Sequence, residues 1–587
     1  MIQIPSMSPP SSLSLAIIGS GPSAIYLLKH LLDHLDRLDP PPRRISIYEQ
    51  SRIMGMGMPY SPATTDIHNL SNISSEELPE LVQPFADWLR KQDSATLEEL
   101  GVEGEIDEGE VYPRLALGRY LQAQYVALLF RLRDAGVEVH EFPGCHIADI
   151  RQEADGSCTL VTDTGSLHSC DRVVIATGHH WPEEDEPERG HYVSPWPIQK
   201  LLPEDGKHFN FPIGMLGASL SAFDVVSSLS HRHGTFVEED SGRLHFDPHP
   251  GTEMFRIVMH SSQGRLPHLQ FAQEEPLREI YRHVSREDLL ALVHARGFLR
   301  LERYFDQVCR PTLMKAFSKD GMPELVALLD DPAFHLRDFV EKMTDNHDYA
   351  DAFKVMRDEM TEARESVLND KPIHWKEYMD DLMYTLNFHA ELLPAEDHLT
   401  LAKEVMPFLM NVIAAMPLPS AEIMLALHDA GKLDIVSGKV EIAEKQPRGD
   451  RTRVTVTEGR KETVSDYEMF IDCGGQKPLE IGDYPFPSLV RHGRVRRAAA
   501  PFADERNADM LVPEEQRDKV TTNDQGRTAY FIGGLDIDPA YRLIGADGKA
   551  DARLYEISFP LTSGLRPYSY GLQACNETAR LLVEGWQ

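Results

Sequence analysis

The sequence predicts an α/β protein built on two units of strand, glycine-containing turn and helix, with a long block of helices inserted after the second unit. The first unit is LAIIGSGPSAIYLL at 15–28, where an apolar strand runs through a turn into a helix. The second is FPIGMLGASLSAFDVVSSLS at 211–230, which repeats that order. From about 275 to 430, apolar residues recur at helical spacing with little strand pattern. These three observations predict two Rossmann-like domains and a helical insertion.

The first turn has the spacing of a dinucleotide-binding site. Gly19 permits the tight turn, Gly21 lets backbone N–H groups approach a diphosphate, and Ala24 lets the helix pack closely on the strand. The helix N-terminus attracts an anion, and the next strand, ISIYE at 45–49, ends in the carboxylate that such sites use for a ribose hydroxyl. The alternative is a strand–helix corner that binds nothing. The predicted binding residues of this unit are Gly19, Gly21, Pro22, Ser23, Ala24 and Glu49.

The second turn departs from this pattern at one position. Its sequence Gly217-x-Ser219-x-x-Ala222 carries a serine where a second glycine is usual, and Ser221 stands beside it in the first helical turn. A hydroxymethyl group there either narrows the approach of a diphosphate or donates a hydrogen bond to it. We predict that this unit binds NAD(P)H, the alternative being a unit that serves structure alone.

The strand after the second unit indicates which nicotinamide nucleotide binds. FRIVMHSS at 255–262 ends without an acidic residue for a free 2′-hydroxyl, and continues through Ser261 to Arg265. A serine and an arginine suit a 2′-phosphate, which favours NADPH over NADH. The alternative is a solvated loop that carries an ordinary arginine.

The remaining elements follow from apolar patterns and turn residues. GMGMPYSPATTDIHNLSNI at 55–73 is rich in glycine, proline and polar residues, which predicts a long loop of the kind that carries function. Residues 113–136 predict a helix that closes at a glycine, and residues 158–178 predict a hairpin followed by a buried strand. We expect a polar excursion between the second unit and 255–262, and strands again after about 430.

Length, charge and cysteine content exclude several classes of protein. A chain of 587 residues is too long for one core. Its 59 basic and 93 acidic residues give a net charge of −34, which repels nucleic acid and anionic membranes. No apolar run approaches the ~20 residues that span a bilayer. The six cysteines form no CxxC pair, and the adjacent histidines of GHHWP point to opposite faces of a strand, so we predict no metal site. A cytoplasmic location is expected, with the oligomeric state open.

Several motifs resemble those of flavoproteins with two dinucleotide sites. The first turn together with Glu49 resembles an FAD fingerprint, and Ala176-Thr177-Gly178 resembles an ATG motif. TAYFIGGLD at 528–536 is similar to a late strand whose glycine and acidic residue approach the flavin. The resemblance implies that FAD contacts four further residues, Thr177, Gly178, Gly534 and Asp536.

Two further motifs narrow the family. YVSPWP at 192–197 and PRLALGRYL at 113–121 resemble an FAD/NAD(P)-binding family that is similar to the flavin-dependent N-hydroxylating monooxygenases of the ornithine hydroxylase and aspartate N-oxygenase type. The resemblance covers about 1–265 and 430–587, and leaves out the helical insertion. Arg114, at the start of the second motif, is then a candidate to bind the flavin diphosphate or a substrate carboxylate.

This resemblance divides the chain into parts. The expected parts are a flexible leader at 1–14, an FAD-binding domain at 15–195 and 476–587, an NAD(P)H-binding domain at 196–275 and 431–475, and the helical insertion at 276–430.

The resemblance implies an FAD- and NADPH-dependent monooxygenase that transfers oxygen from O₂ to the nitrogen of a small amine or amino acid through a flavin C4a-hydroperoxide. Asp66, His68 and Asn69 in the long loop are candidates to face the flavin or orient the substrate, or else they cap the loop. Two alternatives stay open. One is another FAD/NAD(P)H oxidoreductase without oxygen insertion, and the other is a non-catalytic FAD-binding redox sensor.

Overall fold

The computed structural model describes residues 13–240, 242–345, 351–443, 450–476, 479–569 and 571–587. Residues 1–12 of the predicted leader lie outside the described residues. Its last two, Leu13 and Ser14, belong to the first strand. The Ser14 amide and hydroxyl both donate to the Asp171 carboxylate at 2.7 Å, so the strand begins before residue 15.

Within the described residues, strands lie before 262 and after 432, on either side of the helical region. In chain order they are β1 Leu13–Ile18, β2 Pro42–Glu49, β3 Leu70–Ser74, β4 Val111–Pro113, β5 Glu138–Pro143, β6 Ile147–Gln152, β7 Cys158–Thr162, β8 Leu167–Cys170, β9 Arg172–Ile175, β10 His191–Tyr192, β11 Pro212–Leu216, β12 Gly234–Glu238, β13 Leu244–Pro248, β14 Arg256–Ser261, β15 Leu433–Ser437, β16 Lys439–Ile442, β17 Thr452–Glu458, β18 Lys461–Tyr467, β19 Met469–Asp472, β20 Arg497–Pro501, β21 Val520–Thr522, β22 Thr528–Leu535, β23 Arg542–Ile544 and β24 Ala550–Glu556.

The α-helices follow in the same order. They are α1 Pro22–Asp33, α2 Phe85–Leu89, α3 Ser94–Glu99, α4 Arg114–Asp134, α5 Leu220–His233, α6 Arg286–Ala291, α7 Leu301–Tyr304, α8 Arg310–Lys319, α9 Pro323–Asp330, α10 Leu336–Asp345, α11 Ala352–Leu368, α12 His374–Asn387, α13 Ala395–Thr400, α14 Met406–Ile413, α15 Leu418–Asp429, α16 Pro487–Arg491, α17 Arg506–Leu511, α18 Phe559–Thr562 and α19 Leu572–Glu584. Two π-helical segments join successive helices, Phe305–Cys309 between α7 and α8 and Leu401–Val405 between α13 and α14.

The first sheet carries the first glycine turn. Its strand order is β23-β24-β9-β1-β2-β5, in which β23 is antiparallel to β24 and the other neighbours are parallel. Because parallel strands end at the same edge of a sheet, the turn after β1 lies beside the ends of β2 and β9. Helices α1, α4 and α19 share one apolar core with this sheet. The first sheet therefore has the arrangement that binds a dinucleotide at its carboxyl edge.

The second sheet carries the second turn. Its order is β10-β19-β11-β14-β15, and each pair of neighbours is parallel. Its core takes in α5 and, from the helical region, α11 and α15. Parallel strands need a crossover connection, and α15 provides it for β15, which follows directly. Two helices of the helical region, α11 and α15, thus pack against the second sheet.

Most of the other helices of this region form a core of their own. Phe317, Leu382 and Phe408 lie in it, on α8, α12 and α14. The same core includes Tyr568 and Ala574, which precede and begin α19. The helical region therefore packs against the last helix of the first sheet as well as against the second sheet.

The predicted fold class is confirmed, because the chain forms two Rossmann-like α/β sheets and a helical region. The predicted helix at 113–136 is α4, and the predicted hairpin is β7 and β8, followed by β9. The predicted polar excursion differs, since it contains the hairpin β12–β13, where Phe236 pairs with Phe246 and supplies apolar contact. The domain boundaries remain predictions. Within the described residues, no helix is long and apolar enough to cross a membrane.

Candidate functional site

The first glycine turn leaves the start of α1 without side-chain cover. A Cβ on Gly19 would lie 2.2 Å from the Ala176 carbonyl oxygen, and Gly19 has φ +103°, so only glycine fits. A Cβ on Gly21 would lie 3.2 Å from Gly57 Cα in the facing loop. Gly21 is the N-cap of α1 and no side chain caps the helix. The first N–H groups of the helix are therefore available to an anion.

The Glu49 carboxylate is held beside this turn at the end of β2. Its Oε2 accepts hydrogen bonds from Ser20 N at 3.0 Å and Ser20 Oγ at 2.8 Å, and its Oε1 accepts one from Ser51 N at 2.9 Å. A carboxylate offers about four acceptor positions, so one position is left for a ribose hydroxyl. The half-buried carboxylate has the fixed orientation that such recognition needs.

The end of β9 meets the end of β24. Thr177 N donates to Ser558 Oγ at 3.0 Å, and Ser558 N donates to Glu556 Oε1 at 2.9 Å. Tyr484 OH donates to the other oxygen of Glu556 at 3.1 Å, and burial raises the pKa of this carboxyl to about 8. Gly178 has open space where its Cβ would lie. Glu556 and Ser558 were not predicted from the sequence. The usable signal was an acidic residue at the end of β24, the strand that pairs with β9 before the ATG motif.

The N-terminus of α19 lies beside that of α1. Ser23 Oγ is 3.4 Å from Cys575 Sγ, which joins the first turns of the two helices. Gly571 is the N-cap of α19 with φ +86°, and no side chain caps this helix either. Burial raises the pKa of Cys575 to about 11, so its thiol stays protonated near neutral pH. The sequence pattern predicted α19 but not its position, because the contact joins residues far apart in the chain.

The late strand β22 reaches the same region through backbone contact. A Cβ on Gly534 would lie 2.6 Å from the Leu561 carbonyl oxygen, in the helix that follows Ser558. Arg496 Nε donates to the Asp536 carboxylate at 2.7 Å, and Asp536 N donates to the Arg496 carbonyl oxygen at 2.9 Å. Gly534 therefore approaches the backbone of α18, whereas the Asp536 side chain is engaged with Arg496.

The three catalytic candidates of the long loop all contact the second unit. Asp66 forms an ion pair with Arg232 at 2.6 Å, and the His68 ring stacks on His231 with centroids 3.7 Å apart. The Asn69 amide donates to the Asp224 carbonyl oxygen at 3.0 Å and to Ser228 Oγ at 2.8 Å. Burial, assisted by the neighbouring His231, lowers the pKa of His68 to about 4. The loop is thus bound along α5.

Arg114 forms a buried ion pair with Asp224 on α5. Its Nε donates to Asp224 Oδ1 at 3.3 Å, and its Nη2 lies 3.0 Å from Oδ2. Arg114 N donates to the Asn69 carbonyl oxygen at 2.8 Å. Burial raises the pKa of Asp224 to about 6, against the lowering effect of Arg114. Sequence reasoning missed Asp224, although an acidic residue within the apolar run SAFDVV was a usable signal.

The second turn repeats the geometry of the first. Gly217 has φ +102°, and a Cβ there would lie 2.8 Å from the Cys473 carbonyl oxygen. Ser219 is the N-cap of α5 without a side-chain hydrogen bond to the helix, while Ala222 in the first turn is fully buried. Ser221 stands beside it on the same turn of helix. Gly217 N donates to the His260 carbonyl oxygen at 2.8 Å, so this turn adjoins the end of β14.

The residues predicted to bind the adenosine 2′-phosphate lie at the end of β14 and in the loop after it. Ser261 pairs with Ser437 of β15. Arg265 lies beyond it, on the wall of a cavity shared with the helical region. The structure thus brings Gly217, Ser219 and Ser261 to one edge of the second sheet, with Arg265 further along the same loop.

Comparison with known proteins identifies the first unit. The FAD-NAD(P)-binding family matches residues 16–180, and the YdhS-like middle domain family matches residues 282–413. Residues 16–180 form an FAD-NAD(P)-binding domain. The uncharacterized protein YdhS of Escherichia coli (strain K12) is 28% identical over 512 residues, which cover 86% of this chain and 91% of that protein.

Solved structures that align with most of this chain include two ornithine hydroxylases and a cadaverine monooxygenase. The ornithine N-hydroxylase KtzI of Kutzneria sp. 744 aligns over 98% of this chain and 99% of its own, with 12% identity and a TM-score of 0.44. The ornithine hydroxylase PvdA of Pseudomonas aeruginosa aligns over 98% of each chain, with 10% identity and a TM-score of 0.45. The cadaverine monooxygenase DfoA of Erwinia amylovora aligns over 98% of this chain and 95% of its own, with 10% identity and a TM-score of 0.48.

The residues of the FAD-NAD(P)-binding domain fit FAD. The bare turn at Gly21 gives a diphosphate access to helix N–H groups, Glu49 keeps one acceptor position, and Gly178 faces open space. At the second turn, the exposed Ser219 leaves the start of α5 accessible in the same way. In the described parts of the chain, no group of three or more His, Cys, Asp or Glu side chains is placed to hold a metal ion.

Proposed function

We propose that the protein is an FAD- and NADPH-dependent monooxygenase that oxygenates the nitrogen of a small amine or amino acid, with O₂ as co-substrate. The observation that carries the proposal is the presence of two uncapped glycine turns, at Gly21 and Ser219, each after a strand with parallel neighbours, on two sheets that the loop at 55–73 joins. A flavin on the first turn and a nicotinamide nucleotide on the second fit this arrangement. The motifs at 113–121 and 192–197 favour N-oxygenation.

In this proposal the FAD-NAD(P)-binding domain holds FAD at the carboxyl edge of the first sheet. The N–H groups of Ser23 and Ala24 face the diphosphate, since Pro22 has none to offer. Glu49 accepts from the ribose. Thr177 and Gly178 lie against the flavin side, with Ser558 fixing Thr177. Gly534 supports this segment through the backbone of α18.

The second sheet holds NADPH in the same manner. The diphosphate lies at Gly217 and Ser219, where Ser219 Oγ is free to donate to it, and Ser221 and Ala222 form the first turn below. Ser261 and Arg265 then receive the adenosine 2′-phosphate. NADPH supplies the reducing hydride, and the flavin, once reduced, supplies oxygen activation.

The loop at 55–73 sets the relation between the two sheets. Asp66, His68 and Asn69 bind α5 through an ion pair, a ring stack and two hydrogen bonds. We assign them a positioning role, in which they hold the loop between the two cofactors and keep water out of the gap. Arg114 acts in the same interface through Asp224, at the base of the loop.

A labelling experiment tests the reaction. Purified protein receives FAD, NADPH, ¹⁸O₂ and a panel of small amines and amino acids that begins with ornithine and cadaverine, the substrates named with the similar structures. We expect a product carrying one ¹⁸O on nitrogen, detected by mass spectrometry, with NADPH consumed in equal amount. Gly21→Val serves as the flavin-free control.

The other outcomes separate the alternatives. NADPH oxidation that reduces an acceptor without oxygen insertion would identify another type of FAD/NAD(P)H oxidoreductase. Flavin retention without reduction by either nicotinamide nucleotide would identify a redox-sensing binding protein. We also propose a cytoplasmic location, supported by cysteines that are all free thiols and tested by cell fractionation.

A further inference from the structure

A cavity of about 370 Å³ lies between the end of β14 and the helical region. Gln263 and Arg265 line it from the loop after β14. The opposite wall comes from α10, the end of α13, the π-helical segment at Leu401–Val405 and the start of α14. These lining residues are Leu336, Arg337, Val340, Glu341, Thr344, Thr400, Lys403, Glu404, Val405, Pro407 and Phe408. The cavity is therefore shared by the second sheet and the helical region.

On the wall that the helical region contributes, one cationic side chain among the described residues has no acidic partner. Arg337 binds Glu404 through two hydrogen bonds of 2.5 and 2.7 Å, so these two charges neutralise each other. Lys403 is exposed and forms neither a hydrogen bond nor an ion pair with any residue that the structure describes. Glu341, also exposed, is the remaining acidic residue of this wall. Short π-helical segments within α-helices are frequent at functional sites, and here one carries Lys403.

The position of the cavity relates it to the second turn. Leu216 at the end of β11 is in register with His260 of β14, so the two strands deliver Gly217 and Ser261 side by side. In a dinucleotide-binding sheet, the adenosine ribose lies at the end of the strand that follows the glycine turn and its helix. A dinucleotide whose diphosphate lies at Ser219 therefore extends its adenosine toward Gln263 and Arg265. Apolar Val340 and Phe408 suit an adenine ring there.

We infer that this cavity binds the 2′-phosphoadenosine end of NADPH and that Lys403, from the helical region, contacts the 2′-phosphate together with Arg265. The inference rests on the proposed function, in which the second sheet binds NADPH. It assigns the helical region a part in nucleotide selection. Lys403 is thus a specificity-determining residue outside both Rossmann-like sheets.

Calorimetric titration with NADP⁺, NAD⁺ and adenosine 2′,5′-bisphosphate tests this without turnover. Lys403→Gln should weaken binding of the two 2′-phosphorylated ligands roughly tenfold, the loss of one charged hydrogen bond, and leave NAD⁺ binding unchanged. Lys403→Arg keeps the charge and should retain most of the affinity. Lys461→Gln on β18 makes the same charge change on an exposed residue outside the cavity, and should have no effect.

The results distinguish this inference from the proposed function. Wild-type preference for NADP⁺ with an unchanged Lys403→Gln variant would overturn the role of Lys403 and leave the monooxygenase proposal standing. Equal weakening of NADP⁺ and NAD⁺ would likewise overturn it, because the 2′-phosphate would not be what Lys403 reads. A wild-type protein that binds none of the three ligands would contradict the proposed function itself.

Discussion

At Gly21 the start of α1 lies close to the facing loop. A Cβ on Gly21 would lie 3.2 Å from Gly57 Cα. We predict that Gly21→Val yields protein without FAD, because the branched side chain occupies the space that a diphosphate needs above the helix N–H groups. The measurement is the flavin absorbance of the protein after gel filtration, following incubation with FAD at saturating concentration.

Gly482→Val is the matched control for this variant. A Cβ on Gly482 meets nothing within 4 Å, so the same substitution there should leave flavin content unchanged. A Gly21→Val protein that folds, as judged by circular dichroism, and keeps a full flavin spectrum would refute the position of the diphosphate.

The buried Glu556 carboxyl makes the free energy of unfolding depend on pH. Burial raises its pKa to about 8, whereas a carboxyl in the unfolded chain has a pKa of about 4.3. Between these two values the folded state holds a proton that the unfolded state has lost, so this group's contribution to the free energy of unfolding falls as pH rises from about 4.3 to about 8. We predict that Glu556→Gln gains stability relative to wild type over that interval.

Urea unfolding at mildly acidic, neutral and mildly alkaline pH measures the effect. The difference between Glu556→Gln and wild type should be smallest at the acidic end and largest near the folded-state pKa of about 8, since glutamine mimics the protonated form. Glu462→Gln on the exposed face of β18 makes the same substitution at the surface and serves as the reference variant. A difference for Glu556→Gln that stays constant across the three pH values would mean that the buried carboxyl does not titrate in this range.

At the scale of elements, α4 and α5 are joined by the buried Arg114–Asp224 pair. Arg114→Met leaves a buried carboxylate without its partner, which typically costs about 3–5 kcal/mol. The double variant Arg114→Met, Asp224→Leu removes both charges and should recover most of that loss. Arg119→Met, on the same helix in an exposed pair with Glu99, should cost under about 1 kcal/mol.

The same double variant decides between two roles for Arg114. Urea unfolding gives its stability, and flavin absorbance gives its FAD content. Full stability with full FAD content supports a role at the interface with α5. Full stability with lost FAD would show that Arg114 contacts the cofactor, as the motif at 113–121 implies. A single Arg114→Met variant as stable as wild type would contradict the buried ion pair.

The elements that the sequence predicted well are those with a strong local pattern. The apolar strand before Gly19, the periodic helix α4 and the turn between β7 and β8 each depend on neighbouring residues alone. The hairpin β12–β13 was missed because its strands are polar on one face and its turn is charged. The helix α15 has the same local pattern as the rest of the helical region, so periodicity could not reveal that it belongs to the second sheet.

The site shows the same division between local and distant signals. Both turns were predicted in place, because the spacing of small residues expresses a backbone requirement. The partners of the loop residues were not predicted, since Asp66 meets Arg232 and Asn69 meets Ser228 across long stretches of chain. Ser558 and Glu556 were missed for the same reason, as pairing of β24 with β9 brings them to Thr177.

At the scale of the whole molecule, the helical region is tied to the first sheet by buried polar contacts. Arg278 Nε donates to Asp380 at 2.6 Å, and Tyr568 OH donates to the other oxygen of that carboxylate at 2.7 Å. Asp380 lies on α12 of the helical region, while Tyr568 precedes α19. Because α19 starts against Ser23 at the first turn, these contacts join the helical region to the FAD site.

We therefore predict that Asp380→Ala lowers both stability and FAD retention. Removal of the carboxylate takes an acceptor from the Arg278 guanidinium and from the Tyr568 hydroxyl, which should cost about 3–5 kcal/mol, and the segment before α19 loses its anchor. Urea unfolding measures the stability, and the ratio of flavin to protein absorbance after dialysis measures FAD retention.

Glu365→Ala, in the exposed pair with Lys371 on the same helical region, is the control and should change neither. FAD retention is compared at a temperature where wild type and Asp380→Ala are both folded. If the variant loses stability as expected but retains as much FAD as wild type, the helical region stabilises the chain without supporting the flavin site.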